Sequence, residues 1–351
     1  MKINLFTAAS LLTLGFSLAS CSSNNETPTP TGAYSSGVFI LNEGKFGSPT
    51  GSLSFYNRST KTLTNDIFAL ENANRPLGDV FQSMTIANNK AYLVVNNSNK
   101  IEVADANTLK SVAAPITKLR LPRYMAVVGN KGYVTEWIGF GRKGQLAIFN
   151  LDNPAQKDSI PLGNLPDDIL KASNNKLYVL NSNDNNIAII NPSNNTLETN
   201  VVVGDRPNGI VQDATGNIWV LCGGTPSWAG TPTNAKLVRF NPNTPTQQTT
   251  FNFTSQGAGY LSINPQGNKL YYRAAGSVFA MDITATSLPT TPLVSRRHTA
   301  FYGLGIDTDG TIYTADAMNY ASAGKVFRFN AQGTLLDSMA VGIAPNGFVF
   351  K

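Results

Sequence analysis

A unit of 41 to 52 residues repeats along most of this chain, and it limits the fold more than any other feature. Each copy joins an apolar segment, a tight polar turn and a second apolar segment with a central aromatic residue. The central aromatics are Tyr92, Tyr133, Tyr178, Trp219, Tyr271 and Tyr313. They are separated by 41, 45, 41, 52 and 42 residues. Short apolar segments joined by turns at a nearly fixed period predict a series of small antiparallel sheets.

The turns and the segments that follow them complete a four-stranded unit. Asn-Asn, Gly-Asn and Asp-Gly pairs occupy the tight turns, where the backbone needs residues that tolerate a positive φ. A third apolar segment then ends in Asp or Asn, as at Asp105 and Asn150, and a shorter fourth segment follows. Four strands in a repeat of about 40–45 residues are typical of one blade of a β-propeller.

The two ends of the chain supply the parts of one more unit beyond the six complete copies. Val38–Asn42 and Ser52–Asn57 match a second and a third strand without a first. Residues 343–350 match a first strand without the rest. The sequence therefore predicts an all-β, seven-bladed β-propeller over residues 37–351, with four-stranded blades. The N- and C-terminal strands would close the last blade and leave no free sheet edge there.

The N-terminus has the features of an export signal. Lys2 precedes a short apolar stretch over residues 5–18, and Leu-Ala-Ser then leads to Cys21, as in a bacterial lipobox. We predict a signal peptide over residues 1–20, lipidation of Cys21 and a polar tether over residues 21–36. The residues after Cys21 resemble the tether of lipoproteins of the Bacteroidota type, and this resemblance implies an outer-membrane lipid anchor, with Glu26 favouring display on the cell surface. A plain secretory leader with an incidental Cys is the alternative.

Composition excludes several other classes of protein. Hydrophobic residues make up 42% of the chain and charged residues 14%, which suits a packed core and not a disordered chain. The net charge is +6 and the basic residues are scattered, so no nucleic-acid partner is expected. Cys222 lies in an apolar strand and, with Cys21 lipidated, has no disulfide partner. His298 is the lone His, so a triad or multi-His metal site would depend on it.

Several motifs resemble those of known propeller families. Residues 131–135 and 176–181 resemble the Tyr-Val-Thr-Asn β-propeller repeat. Residues 37–47 and 51–56 are more specific and resemble the opening of surface lipoproteins of the Bacteroidota type with YncE-like propellers. Residues 122–124 and 132–137 extend this likeness. The group includes cobalamin-capturing (BtuG-like) lipoproteins, so the resemblance implies a corrinoid ligand that is passed to an outer-membrane TonB-dependent transporter.

Binding residues are expected on the face of the propeller that carries the variable loops. Loops between second and third strands vary, whereas the turns between first and second strands are uniformly tight. Loop residues and the first residues of the inner strands would form a rim of aromatic and polar side chains. The predicted ligand-binding residues are Phe46, Arg123, Tyr124, Trp137, Phe140, Arg142, Asn208, Trp228, Tyr260, Tyr302, Tyr320 and Asn346. The alternative is that several of them pack under their own loops or line the central channel as structural groups.

Other functions fit the same rim. Trp and Tyr platforms also stack on glycans, and propellers also serve as protein-interaction scaffolds. A lactonase-like hydrolase would need carboxylates and amides around a divalent metal in the central channel. The residues that could supply them are Glu43, Glu136, Asp167, Asp168, Asn208 and Asn346. Because Asp and Asn are common in turns, we favour a binding protein without catalytic residues, metal or cofactor.

Overall fold

The aromatic-centred segments of the repeat form the second strand of six small sheets that are arranged around a central channel. A computed structural model describes residues 32–139 and 141–351. The predicted signal peptide, the lipidation site Cys21, Glu26 and Phe140 lie outside the described residues. Those described residues from Gly32 to Lys351 belong to one compact unit.

The described residues contain strands throughout and one short helix, α1 (Ile67–Glu71). In chain order the strands are β1 (Val38–Asn42), β2 (Ser52–Asn57), β3 (Thr62–Thr64), β4 (Phe81–Ala87), β5 (Lys90–Val95), β6 (Lys100–Asp105), β7 (Pro122–Val128), β8 (Lys131–Glu136), β9 (Lys143–Asn150), β10 (Lys157–Asn164), β11 (Pro166–Lys171), β12 (Leu177–Asn181), β13 (Asn186–Asn191), β14 (Thr196–Val202), β15 (Pro207–Gln212), β16 (Ile218–Cys222), β17 (Lys236–Phe240), β18 (Gln248–Asn252), β19 (Gly259–Ile263), β20 (Lys269–Ala274), β21 (Ser277–Asp282), β22 (Phe301–Ile306), β23 (Ile312–Asp316), β24 (Ala323–Phe329), β25 (Leu335–Ile343) and β26 (Pro345–Phe350).

Seven antiparallel sheets form the blades of a β-propeller, which confirms the predicted fold class. Blade 1 is β4–β6, blade 2 is β7–β10, blade 3 is β11–β14, blade 4 is β15–β18, blade 5 is β19–β21 and blade 6 is β22–β25. In blades 1 and 5 the outermost strand is reduced to isolated bridges, such as Ile101 with Ile116 and Val278 with Val294. Each innermost strand contacts the innermost strand of the next blade, and the last contacts the first, so the ring is closed.

Blade 7 combines both ends of the described chain, as the sequence predicts. Its strand order is β26-β1-β2-β3, with the C-terminal strand innermost. Val38 pairs with Phe350 on one side and with Tyr56 on the other. The Lys351 N–H donates to the Gly37 carbonyl at 2.9 Å, and the Gly37 N–H donates to the Lys351 carbonyl at 3.2 Å. Both edges of β1 are therefore paired within the protein.

The core lies between neighbouring blades and is built from the second strands. The repeat aromatics Tyr92, Tyr133, Tyr178, Trp219, Tyr271 and Tyr313 are all at most 4% exposed. One cluster packs Val38 and Ile40 of blade 7 against Tyr313 and Val326 of blade 6. Alternating strand residues face the two neighbouring blades, which is why both faces of each sheet are apolar.

Ordered packing begins before the first strand. Tyr34, which the sequence placed in the polar tether, is buried against Phe55 at 5.2 Å between ring centroids. Its hydroxyl donates to Glu71 Oε1 at 2.9 Å, so the ring is buried while the hydroxyl keeps a hydrogen-bond partner. In the described part of the chain, no helix is long and apolar enough to cross a membrane.

Candidate functional site

A register irregularity recurs at the start of every innermost strand. In β4 it falls between Phe81 and Ser83, in β15 between Pro207 and Gly209, and in β22 between Phe301 and Gly303. The other four innermost strands, β7, β11, β19 and β26, have the same feature at the same place. A bulge turns a side chain away from the regular alternation. The side chains at these positions are therefore aimed at one mouth of the central channel.

The backbone enters most of these strands through a left-handed residue. The residue directly before the strand has a φ between 43° and 58° in five blades. These residues are Val80, Leu121, Leu165, Arg206 and Ala344. Non-glycine residues rarely adopt this conformation, and it persists only where the surrounding structure imposes it. The mouth of the channel is thus a rigid frame and not a set of loose loops.

A cavity of about 670 Å³ occupies this mouth. Seven predicted binding residues line it, from five different blades: Arg123, Tyr124, Asn208, Trp228, Tyr260, Tyr302 and Asn346. We call it the central cavity. Its volume falls in the range of about 300–1,000 Å³ that is typical of small-molecule pockets.

A second cavity of about 620 Å³ adjoins the first, and we call it the lateral cavity. It is lined by the remaining predicted aromatics that the structure describes, Phe46, Trp137 and Tyr320. Glu43, Arg123 and Tyr302 line both cavities, so the two share a wall. Arg142 is exposed and lines neither cavity, so the structure does not bring it together with the other predicted residues.

Arg123 is the centre of the shared wall. Its Nε donates to Asp167 Oδ1 at 2.9 Å, and its Nη1 donates to Gln82 Oε1. The guanidinium also lies 3.9 Å from the ring centroid of Trp137. The Trp137 indole N–H donates to the Pro166 carbonyl at 2.9 Å, which fixes the ring. The charge of Arg123 is thus balanced by Asp167, and its planar head is held against an aromatic face.

Glu43 connects blade 7 to blade 6 across the same wall. The Tyr302 hydroxyl donates to Glu43 Oε2 at 2.6 Å, and the Tyr302 ring meets that of Tyr320 edge-on at 5.1 Å. Burial raises the pKa of Glu43 above its ordinary value, although the hydrogen bond from Tyr302 opposes the shift. Burial also raises the pKa of Tyr260 to about 12, and its hydroxyl donates to the Phe301 carbonyl at 3.1 Å. These tyrosines therefore stay neutral at ordinary pH.

Three aromatic side chains are exposed at the edges of the cavities. Trp228 is 80% exposed, Phe46 is 74% exposed and Tyr320 is 45% exposed. Among the described residues they are the exposed large aromatics, and all three lie in loops between the second and third strands of a blade. Exposed apolar rings beside polar groups are a common feature of binding surfaces.

The carboxylates considered for a metal site do not converge. Glu136 is buried within β8, where it accepts hydrogen bonds from the Arg120 N–H at 2.8 Å and the Gln145 amide at 2.6 Å. Asp167 is occupied by Arg123. Burial and the neighbouring Asp167 raise the pKa of Asp168 to about 7. Within residues 32–139 and 141–351, no group of three His, Cys, Asp or Glu residues could hold a metal ion.

Some residues of the central cavity were not in the predicted set. They include Gln82, Ser182, Arg206, Gln256 and Arg273. The position of Gln82 in the bulge of β4 could have identified it, since the predicted set includes bulge residues from five other blades. Arg206 directly precedes an innermost strand and Arg273 is the fifth residue of β20. Neither position stands out in the repeat.

Three polar atoms in the wall of the central cavity lack a partner within the protein. Ser182 Oγ, Arg273 Nε and Asn346 Oδ1 are buried and make no hydrogen bond, among the residues that the structure describes. All three belong to residues that line the central cavity. A buried polar group without a partner is costly, so a polar ligand or solvent in the cavity would stabilise this wall.

Comparisons with known proteins support the fold. The family profile described as "Domain of unknown function (DUF5074)" matches residues 36–350. No curated protein matches the sequence.

Solved structures with a similar fold come from several bacteria. A quinonprotein alcohol dehydrogenase-like protein from Bacteroides thetaiotaomicron has a TM-score of 0.68 at 15% identity, covering 90% of this chain and 78% of that chain. A putative 6-phosphogluconolactonase from Bacteroides fragilis has a TM-score of 0.64 at 14% identity, covering 92% of this chain and 100% of that chain. A functionally unknown protein from Desulfotomaculum acetoxidans has a TM-score of 0.65 at 12% identity, covering 90% of this chain and 98% of that chain. At these identities the likeness shows the propeller fold alone.

Proposed function

We propose that this chain, which belongs to the DUF5074 family of domains of unknown function, is a binding protein that captures a small amphipathic ligand at the mouth of its propeller. The ligand would lie across the central and lateral cavities. It would be held without covalent change, with apolar surface against the aromatic rings and polar groups towards the channel.

The observation that carries the proposal is the placement of the exposed aromatics. Phe46, Trp228 and Tyr320 come from three different blades, yet all border the two adjoining cavities. Monomeric proteins normally bury large aromatic side chains or expose them singly at scattered positions. The energetic cost of keeping three of them in water on one face is offset when a ligand covers them.

A corrinoid such as cobalamin is the ligand we favour. The support is the resemblance of residues 37–47, 51–56 and 132–137 to surface lipoproteins that include cobalamin-capturing members. A large ring with amide side chains also matches a wall that combines aromatic planes with polar atoms. Asn208, Asn346 and Arg123 would contact the amides, although part of their hydrogen-bonding capacity is already used within the protein.

The proposed cellular setting follows from the N-terminal motif. A lipid on Cys21 would anchor the protein to the outer membrane, on the outside of the cell. The ligand would then pass to an outer-membrane TonB-dependent transporter as the partner. Metabolic labelling with a fatty acid, in wild type and in Cys21→Ser, tests the anchor. Labelling that persists in the variant would contradict it.

Binding of cyanocobalamin to the purified protein tests the function. We expect the visible corrin absorbance to elute with the protein in gel filtration. Phe46→Ala and Trp228→Ala should each weaken binding about tenfold in calorimetry, equivalent to about 1.4 kcal/mol. Leu336→Ala is the matched control, since Leu336 is 50% exposed but lies in the outer strand β25.

Three results would overturn the proposal or change its ligand. Elution of the corrinoid free of protein would rule out corrinoid capture. Retention on an immobilised polysaccharide, without corrinoid binding, would favour glycan capture on the same face. Hydrolysis of a lactone that is lost in Asp168→Asn would favour an enzyme instead of a binding protein.

A further inference from the structure

Two arginines of the central cavity carry charges that form no ion pair with any carboxylate of the described residues. Arg206 and Arg273 both line the cavity, and both are half-buried. Neither belongs to any of the ion pairs formed by residues 32–139 and 141–351. Arg123, in the opposite wall, differs because its guanidinium pairs with Asp167. The positive charge is therefore concentrated on one side of the cavity.

A short series of hydrogen bonds shows that Arg206 and Arg273 lie in the same part of the wall. The Gly223 N–H donates to the Arg206 carbonyl at 3.0 Å, and the Gly257 N–H donates to the Gly223 carbonyl at 2.8 Å. The Arg273 Nη1 then donates to the Gly257 carbonyl at 3.2 Å. The Arg206 backbone and the Arg273 side chain thus adjoin one loop contact between blades 4 and 5, and both residues line the same cavity.

Most of the hydrogen-bonding capacity of these two guanidiniums is unused. Each guanidinium has five N–H donors. Arg206 makes one side-chain hydrogen bond, from Nη1 to Asn183 Oδ1 at 3.5 Å, which is long. Arg273 makes the single bond to Gly257, and its buried Nε has no partner within the described residues. A structural arginine in a protein wall normally uses more of its donors.

Aromatic rings lie beside both cations. The Arg206 guanidinium is 5.7 Å from the ring centroid of Trp228, and the Arg273 guanidinium is 6.0 Å from that of Phe301. The carboxylates of the cavity are engaged elsewhere, Glu43 by Tyr302 and Asp167 by Arg123. Asp184 and Asp205 line a smaller neighbouring cavity with Arg206, where they accept hydrogen bonds from the side chains of Asn164 and Thr233. A negative group on the central-cavity side of Arg206 and Arg273 would therefore meet attraction, with no unengaged carboxylate lining that cavity.

We infer that Arg206, Arg273 and Trp228 form a subsite for the anionic group of an amphipathic ligand, with the oxyanion on the guanidiniums and the apolar ring on Trp228. The inference rests on the proposed binding function and narrows its ligand class to molecules that carry a carboxylate, phosphate or sulfonate. Planar guanidiniums match the geometry of such oxyanions, and partial burial reduces competition from water.

A pair of dyes with the same rings separates charge recognition from binding to aromatics. Anilinonaphthalene sulfonate carries one negative charge, whereas its parent N-phenylnaphthylamine is uncharged. We expect the purified protein to bind the anionic dye about ten times more tightly in fluorescence titrations. The double variant Arg206→Gln/Arg273→Gln should lose this preference and retain its affinity for the neutral dye. Trp228→Ala should weaken the binding of both dyes.

A matched double variant controls for net charge. Arg120→Gln/Arg297→Gln removes the same charge from exposed positions outside both cavities and should keep the preference for the anion. Circular dichroism and the unaltered neutral-dye affinity would show that each variant is folded. Equal affinity for the two dyes in wild type would overturn the anionic subsite, as would a preference that survives Arg206→Gln/Arg273→Gln. The binding function itself would still stand in that case if Trp228→Ala weakened the neutral dye.

Discussion

Arg58 and Asp307 form a two-pronged ion pair that joins blade 7 to blade 6. Arg58 Nε donates to Asp307 Oδ2 at 2.7 Å, and Arg58 Nη2 donates to Asp307 Oδ1 at 2.6 Å. Arg58 Nη1 also donates to the carbonyl of Lys351 at 2.6 Å. The Arg58 side chain, at the end of β2, therefore binds both the residue after β22 and the C-terminal residue, where blades 6 and 7 meet.

Loss of Arg58 should destabilise the ring. The Asp307 side chain is 1% exposed, so Arg58→Met would leave a buried carboxylate without its cation. We expect the free energy of unfolding to fall by about 3 kcal/mol in guanidinium titrations. Lys176→Met is the control, because its pair with Glu198 is more exposed and should contribute less than about 1 kcal/mol. Equal losses in the two variants would contradict a role for Arg58 in closure.

Asp168 should make the protein less stable as pH rises. Its pKa is raised to about 7 by burial and by Asp167, whereas the unfolded value is about 4. The folded state therefore binds a proton that the unfolded state has released, and stability falls between pH ~4 and ~7 and then levels off. Asp168→Asn stays neutral, so it should gain about 1–2 kcal/mol over wild type at pH ~8 and almost nothing at pH ~4. Denaturation at the two pH values measures this.

The control for that experiment is Asp158→Asn, at an exposed position in β10. Its effect on the free energy of unfolding should be small and similar at both pH values. A wild-type pH dependence that remains unchanged in Asp168→Asn would show that Asp168 does not titrate in this range.

Truncation of Trp219 should destabilise the protein strongly, whereas truncation of Trp228 should leave its stability nearly unchanged. Trp219 is fully buried, its indole N–H donates to Asp213 Oδ2 at 2.7 Å, and its ring stacks on Phe251. Trp219→Ala should lower the free energy of unfolding by about 3–5 kcal/mol. Trp228 is 80% exposed, so Trp228→Ala should change the free energy of unfolding by less than about 0.5 kcal/mol. A large loss of stability in Trp228→Ala would mean that this ring supports its loop instead of serving a ligand.

Cys222 should be unreactive in the folded protein. Its side chain is fully buried, and burial raises the pKa of the thiol to about 12. Because the thiolate is the reactive form, iodoacetamide should leave the Cys222 peptide unmodified until the protein is unfolded in guanidinium. Mass spectrometry of that peptide checks this. Comparable labelling with and without denaturant would show that the strand opens readily.

The sequence determined the architecture because a propeller is built from local units. Each repeat has its own turn residues, its own alternating strands and its own central aromatic, and all of these are visible within about 40–45 residues. The composite blade could also be predicted, since the two end segments each match a known part of the repeat. The exposed aromatics Phe46, Trp228 and Tyr320 could be predicted because they lie in the variable loops between second and third strands.

Only the tertiary structure decided which polar side chains meet. Arg58 and Asp307 are 249 residues apart, and the Glu43–Tyr302 pair spans 259 residues, so no local pattern could reveal either. The bulges turn one or two side chains per blade towards the channel, and one residue of register decides which side chains those are. Arg206 and Arg273 line the same cavity because blades 4 and 5 pack side by side, which the strand that carries each residue does not reveal.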